Sequence, residues 1–274
     1  MAEGTNPNQE GQDTEQPMSG PIPKLPQNEA NNIKGVIAVM SGKGGVGKSS
    51  VAALLAAGLS RAGHRVGVLD ADVTGPSIPK LFGISGRPGK TEKGLLPVES
   101  EKGVKVMSLN LLLPNEDDPV IWRGPLIAGA VRQFWTDIVW GDLDHLVVDL
   151  PPGTGDSPLT VLQSLPVDGI VIVSSPQELA VMVVKKAIKM AQSMGVPIVG
   201  LVENMSYLTC PHCGERLEIF GASKAQQISD ETGLPVLATI AIDPKLAELG
   251  DAGRIEDYTA TPVDEMVEGV RRSK

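Results

Sequence analysis

Cys210 and Cys213 stand two residues apart in TCPHCGERLEIFG, residues 209–221, and they are the only cysteines among 274 residues. Thiolates bind metals, but a tetrahedral site takes four donors, and one Cys-x-x-Cys supplies two. Three chemistries use such a pair: a metal site completed by other sulfurs, a zinc site in which a tight turn lets backbone N–H groups bond the sulfurs, and a redox dithiol. His212, between the two, reads as a solvent-facing residue of the turn rather than a third ligand.

A second stretch, GKGGVGKS from Gly42 to Ser49, satisfies G-x-x-x-x-G-K-[ST]. Gly42, Lys43, Gly44, Gly45, Val46, Gly47, Lys48, Ser49 and Ser50 together form a candidate nucleotide-binding loop. Its glycines let consecutive backbone N–H groups curl around phosphate oxygens, and a helix starting near Ser49 points its positive end at the same anion. Lys48 would reach the β- and γ-phosphates, and the Ser49 hydroxyl would ligate Mg2+.

Three carboxylates end strand candidates. Asp70 and Asp72 close VGVLDAD, and Asp149 closes HLVVDL before PPGTGDSP. In parallel sheets ligands gather at the carboxyl ends of strands, so these acids belong beside the loop. Asp149 reads as the acid that holds Mg2+ through water, and Asp70 as support for the same hydration shell. Asp72 reads as the residue that positions or activates the attacking water, with Lys48 beside it. Lys43 reads either as a solvated lysine that aids phosphate affinity or as the signature lysine of the deviant Walker A pattern GKGGVGK[ST], serving hydrolysis. Any one strand-end Asp can instead cap the next segment, a reading that weakens for three together. PPGTGD reads as a γ-phosphate-sensing switch, flexible at Gly153 and Gly155. The chain lacks the NKxD segment that reads guanine, whereas Asn204 in VENMS and Asp243 in IAIDPK could meet an adenine edge. ATP is expected over GTP.

These residues need a scaffold, and the sequence outlines one. Short apolar runs at 35–40, 65–70, 103–109, 145–150, 169–175, 197–205 and 235–242 predict strands covered on both faces. Helical stretches at 49–63, 124–138, 157–165, 178–195 and 223–233 alternate with them, and a short helix ends the chain. The alternation predicts an α/β fold: three layers, with a mostly parallel, twisted sheet between helices. Residues 1–32 are polar and Pro-rich and should form a disordered tail, leaving one ATPase domain at 33–274 with a CxxC insertion loop at 206–221. A net charge of −9 argues against nucleic acid and anionic lipid as partners, and no apolar run is long enough to span a membrane. Two cysteines give no disulfide framework, so a cytoplasmic setting is expected.

VMSGKGGVGKSSVAALLA, VGVLDADVTGPSIPKLFG, VIWRGPL, HLVVDLPPGTGD, VENMSYLTCPHCGE and EIFG occur in this order. Together, over about residues 34–250, they resemble the Mrp/ApbC family of P-loop ATPases that carry iron–sulfur clusters. The loop alone would point only to the wider deviant Walker A class that includes Min/Par-type ATPases. The resemblance implies a homodimer in which Cys210 and Cys213 of two chains hold one cluster, of the 4Fe–4S type, across the two-fold axis. It further implies slow ATP hydrolysis, with Lys43 reaching the partner's nucleotide, and transfer of the cluster to apoprotein recipients. The chain lacks the four-cysteine N-terminal site of some relatives and has Ala241 where the family commonly has Pro. A Min/Par-type positional ATPase and a zinc-bridged dimer remain alternatives.

Overall fold

The computed structural model describes residues 25–72, 75, 77–112, 124–177 and 180–273. In chain order the strands are β1 (Asn32–Ile33), β2 (Val36–Ser41), β3 (Val66–Asp70), β4 (Gly89–Thr91), β5 (Gly94–Leu96), β6 (Val98–Glu99), β7 (Lys105–Ser108), β8 (Asp142–Leu143), β9 (His145–Asp149), β10 (Gly169–Ser174), β11 (Ile198–Glu203), β12 (Leu208–Thr209), β13 (Arg216–Leu217) and β14 (Val236–Thr239). The helices are α1 (Lys48–Arg61), α2 (Ile78–Leu81), α3 (Gly124–Thr136), α4 (Asp156–Ser164), α5 (Ala180–Ser193), α6 (Ala225–Thr232), α7 (Pro244–Asp251) and α8 (Thr261–Arg272).

Every residue of β2, β3, β9 and β10 is buried, because helices cover both faces of the sheet, as the continuous apolar runs require. Among the described residues the sheet has eight strands, in the order β14-β11-β10-β2-β9-β3-β7-β6. All neighbours run parallel except the β6–β7 edge pair. Successive side chains of a strand point to opposite faces, and the core divides accordingly. Ala38 and Met40 join Phe134, Trp135, Val161 and Ala187 on the side of α3, α4 and α5. Ile37 and Val39 join Leu54, Leu55, Val263 and Met266 on the side of α1 and α8. The expected three-layer α/β fold is what forms.

The structure departs from expectation in three places. First, residues 25–32, expected to belong to the disordered tail, are bonded to the fold. Trp135 Nε1 donates to the Leu25 carbonyl at 3.0 Å, Asn28 donates to Thr136 O at 2.9 Å, and Asn31 donates to Ile138 O at 2.8 Å. Gln27 makes a two-way bond with the Ile33 backbone. Side-chain amides carry both a donor and an acceptor, so this Asn/Gln-rich stretch stitches itself to loop backbone with little apolar burial. Residues 1–24 lie outside the described residues. Second, β4 and β5 form an exposed hairpin, docked by Leu95 N–H to Asp137 O at 3.0 Å and Val139 N–H to Leu95 O at 2.8 Å. Third, α7 follows IAID where only a strand and loop were expected. The VIWRGP stretch falls largely outside the described residues, as do the first two positions of the helix expected at 178–195.

Candidate nucleotide and metal site

β2, β3 and β9 lie side by side and end at the same edge, which brings the P-loop and the three carboxylates together. Gly45 and Gly47 turn the loop with φ of 80° and 78°, a region that side chains with a Cβ enter only with strain. Gly47 also abuts the Asn204 side-chain amide, and Gly42 abuts Val183 of α5, so neither position has room for a Cβ. No side chain caps α1 at Gly47, which leaves the helix N-terminus to an anion.

Lys48 is 6% exposed; its ammonium lies 2.6 Å from Asp149 Oδ1 and 3.5 Å from Asp72 Oδ2. The Ser49 hydroxyl donates to Asp149 Oδ2 at 2.5 Å. Asp70 accepts the Asp72 backbone N–H at 3.1 Å and the Ser108 hydroxyl at 3.2 Å. Burial, and next the charge of Asp149, holds the Asp70 carboxyl well above the usual carboxylate range. Burial also raises Asp149, against the pull of Lys48 and Ser49. An ion in this crowded acidic corner would relieve both. The donors are hard oxygens and too few to cage a metal by themselves. That composition fits Mg2+, which keeps several waters and takes phosphate oxygens as ligands. The Gly153 N–H of PPGTGD donates to Ser41 O at 2.9 Å, holding the expected switch against the start of the P-loop.

Other expected residues stand differently. The Lys43 ammonium donates to the Gln177 side-chain carbonyl of its own chain. Asn204 is 4% exposed, and its Nδ2 donates to the Val46 carbonyl at 2.9 Å, so this amide donor shapes the P-loop. Asp243 caps α7 through Lys245 N–H at 2.9 Å and accepts the Tyr258 hydroxyl at 2.9 Å. Its two oxygens are committed to the protein, which leaves an adenine edge little to bond. Asp-Pro at a helix start is a capping signature, so the signal for this role was present in IAIDPK.

The cysteines crown a small hairpin. β12 and β13 pair antiparallel, with Leu208 opposite Leu217 and Thr209 opposite Arg216. Between them Cys210 N–H donates to Glu215 O at 2.8 Å, and Gly214 N–H donates to Cys210 O at 2.9 Å. Gly214, at φ 76°, makes the return. Backbone N–H groups of Cys213 and then His212 face the Cys210 sulfur and hold its thiol below the ordinary range, because they stabilise the thiolate. The Arg216 guanidinium lies 4.3 Å over the Tyr207 ring and braces the hairpin stem. Cys213 and residues 211–223 around it are exposed. Among the described residues no group of three or more His, Cys, Asp and Glu side chains could hold a metal. One chain therefore offers two sulfurs.

Glu203, which sequence reading passed over, ends β11 at 1% exposure. Its carboxylate accepts the Ser206 hydroxyl at 2.5 Å and the Lys224 N–H at 2.8 Å. The signal for it was a lone charge closing the apolar run PIVGLVE.

Residues 32–272 match the family described as ParA: NUBPL iron-transfer P-loop NTPase. The chain is 48% identical over 225 residues to an iron–sulfur cluster carrier protein of Methanocaldococcus jannaschii, an alignment covering 81% of this chain and 78% of that one. A solved nucleotide-binding protein of Archaeoglobus fulgidus, in complex with ADP and with cobalt found in it, superimposes with a TM-score of 0.76 at 49% identity, covering 83% of this chain and 90% of that one. The cell division ATPase MinD of Pyrococcus furiosus superimposes with a TM-score of 0.64 at 18% identity, over 88% of this chain and all of that one, and shares the fold. With the family match spanning all but the chain's two ends, this chain belongs to the NUBPL iron-transfer family of P-loop NTPases.

Proposed function

We propose that this chain is an ATP-dependent carrier of iron–sulfur clusters. Two copies pool Cys210 and Cys213 to hold one cluster, a cargo rather than a resident cofactor, and pass it to apoproteins. One observation supports this reading above the others: an exposed two-sulfur hairpin, with N–H groups aimed at the Cys210 thiolate, on a chain that offers no further ligand group among its described residues. A symmetric interface brings the same loop from both chains to one axis, and two pairs make the four thiolates a cubane takes. The cluster-carrier name of the M. jannaschii relative agrees.

At the P-loop, Lys48 would bind the β- and γ-phosphates, and the backbone of Gly42 to Ser49 would cradle them. Ser49 directly, and Asp149 through water, would hold Mg2+, which supplies charge neutralisation at the transferring phosphoryl group. Asp72, within 3.5 Å of Lys48, would orient the attacking water, and a slow hydrolysis would reset the dimer. The relative bound to ADP supports an adenine nucleotide. Lys43 would leave Gln177 and reach the nucleotide of the second copy.

A positional ATPase that grips a membrane through its last helix is disfavoured: Val263, Met266, Val267 and Val270 of α8 are buried against the sheet. Anaerobic reconstitution with iron and sulfide is the test. The wild type should take up iron and sulfide together, about two cysteines per half cluster, and the Cys210→Ala/Cys213→Ala protein should take up neither. Equal uptake by both would reject the carrier reading. Zinc without sulfide in anaerobically purified protein would replace it with a zinc-bridged dimer.

A further inference from the structure

Four consecutive residues, Glu203 to Ser206, touch two different loops. The outer two hold the cysteine loop. Glu203, buried at the end of β11, accepts the Ser206 hydroxyl at the loop's entrance and the Lys224 N–H at its exit, 2.5 and 2.8 Å away. A single carboxylate thus closes the base of the segment that carries Cys210 and Cys213. The inner two residues hold the P-loop. Asn204 donates to the Val46 carbonyl at 2.9 Å, and the Met205 methyl would lie 3.4 Å from a Cβ built on Gly47.

The backbone is bent to make this possible. Met205 has φ 58°, the one positive φ of a non-glycine residue among the described residues. Such a conformation is strained and persists only where the surroundings enforce it. The bend lets Asn204 and Met205 face Gly47 while Ser206 turns back onto Glu203. The Ser206 N–H also donates to Ile240 O at 2.9 Å, and Ile242 N–H to Tyr207 O at 2.7 Å, so the strand leading to the hairpin is pinned on its other side.

We propose that Glu203 is the positioning residue of the two cysteines, and that the Glu203–Ser206 bend couples them to the nucleotide loop within one chain. Val46 and Gly47 must settle when phosphate binds, and Asn204 and Met205 move with them. The bend is short and buried, so that motion reaches Glu203 and Ser206 and reorients the hairpin base. The inference rests on the P-loop holding a nucleotide, and it does not need a cluster to be carried.

The chain's only thiols are the two in question, so alkylation by iodoacetamide reports on the hairpin alone. The protein is kept dilute and shown to be monomeric by size exclusion, and Mg·ADP binding is measured by calorimetry in parallel. Saturating Mg·ADP should change the wild-type alkylation rate by about fivefold or more, a typical coupling between two sites. Ser206→Ala and Glu203→Gln should bind Mg·ADP as wild type does and lose the rate change. Shielding by a second copy would survive in both variants, so its persistence there overturns the proposal. A wild type that binds Mg·ADP with no rate change overturns it as well and leaves the proposed function standing. A wild type that does not bind Mg·ADP takes down both. Amide exchange needs no variant: Mg·ADP should alter exchange of the Lys224 N–H, and unchanged exchange would count against the coupling.

Discussion

At the scale of single residues, the nucleotide corner is a site built against its own stability. Asp70 is buried beside Asp149 with its carboxyl held well above the ordinary range. Its folded pKa exceeds its unfolded one, so the stabilising form is the protonated one. Without nucleotide and metal, the protein should gain stability from this group as the pH falls from above the raised value toward the usual carboxylate range, and lose it again as the pH rises. Asp70→Asn keeps an acceptor for the Asp72 N–H and removes the charge. Its nucleotide-free form should melt at or above the wild-type temperature at neutral pH, while Mg2+-dependent nucleotide affinity falls; a clearly lower melting temperature would contradict the electrostatic account. Cys210 runs the other way. Backbone N–H groups hold its thiol low, so its alkylation rate should rise at a lower pH than that of a free cysteine. The reading of these residues from sequence was uneven for a physical reason. Lys48, Ser49 and Asp149 were legible because phosphate and metal chemistry dictates their types and spacing. The bonds of Glu203 to Lys224 and of Asn204 to Val46 were not legible, because these partners are distant in sequence and meet only in the fold.

At the scale of elements, burial on both faces wrote the central strands into the sequence as apolar runs, and α1 likewise. Leu54, Leu55 and Leu59 are fully buried, and Gly58 lets Val267 of α8 approach too closely for any larger residue. The β4–β5 hairpin was not legible. Its residues are largely exposed, its strands have three residues each, and Asp137 and Val139 dock it through backbone bonds that leave no mark on side-chain pattern. The same contrast separates α8 from a membrane-seeking helix. Its apolar stripe is already spent on the sheet, with Met266 fully buried. Met266→Ala should therefore cost about 2–5 kcal/mol, a fall of several degrees in melting temperature at about 2–4 °C per kcal/mol for a chain of this size. Nucleotide affinity of the folded fraction should stay near wild type, since α8 packs on α1 around Gly58, well along the helix from Lys48 and Ser49 at its start. A stability loss under about 0.5 kcal/mol, the range of surface substitutions, would mean that the stripe is not a packed part of the core.

At the scale of the whole molecule, the two sulfurs of one chain leave a metal half-ligated, and the proposed remedy is a second copy. Two chains of net charge −9 repel, so association should depend on something at the axis that outweighs that repulsion. A cluster bound by four thiolates is such a bridge. Sedimentation under anaerobic conditions should then show a monomer in the metal-free, nucleotide-free protein and a dimer after reconstitution with iron and sulfide. Cys210→Ala/Cys213→Ala treated in the same way should remain a monomer. Salt separates this bridge from a contact made by surface ion pairs. Screening weakens both the repulsion between chains and any exposed ion pair within about 8–10 Å of ionic atmosphere, but it leaves metal–thiolate bonds intact. Raising the salt should therefore hold or strengthen the reconstituted dimer, and a dimer that disperses in high salt while its iron stays bound would show that the sulfurs of the two chains are not shared.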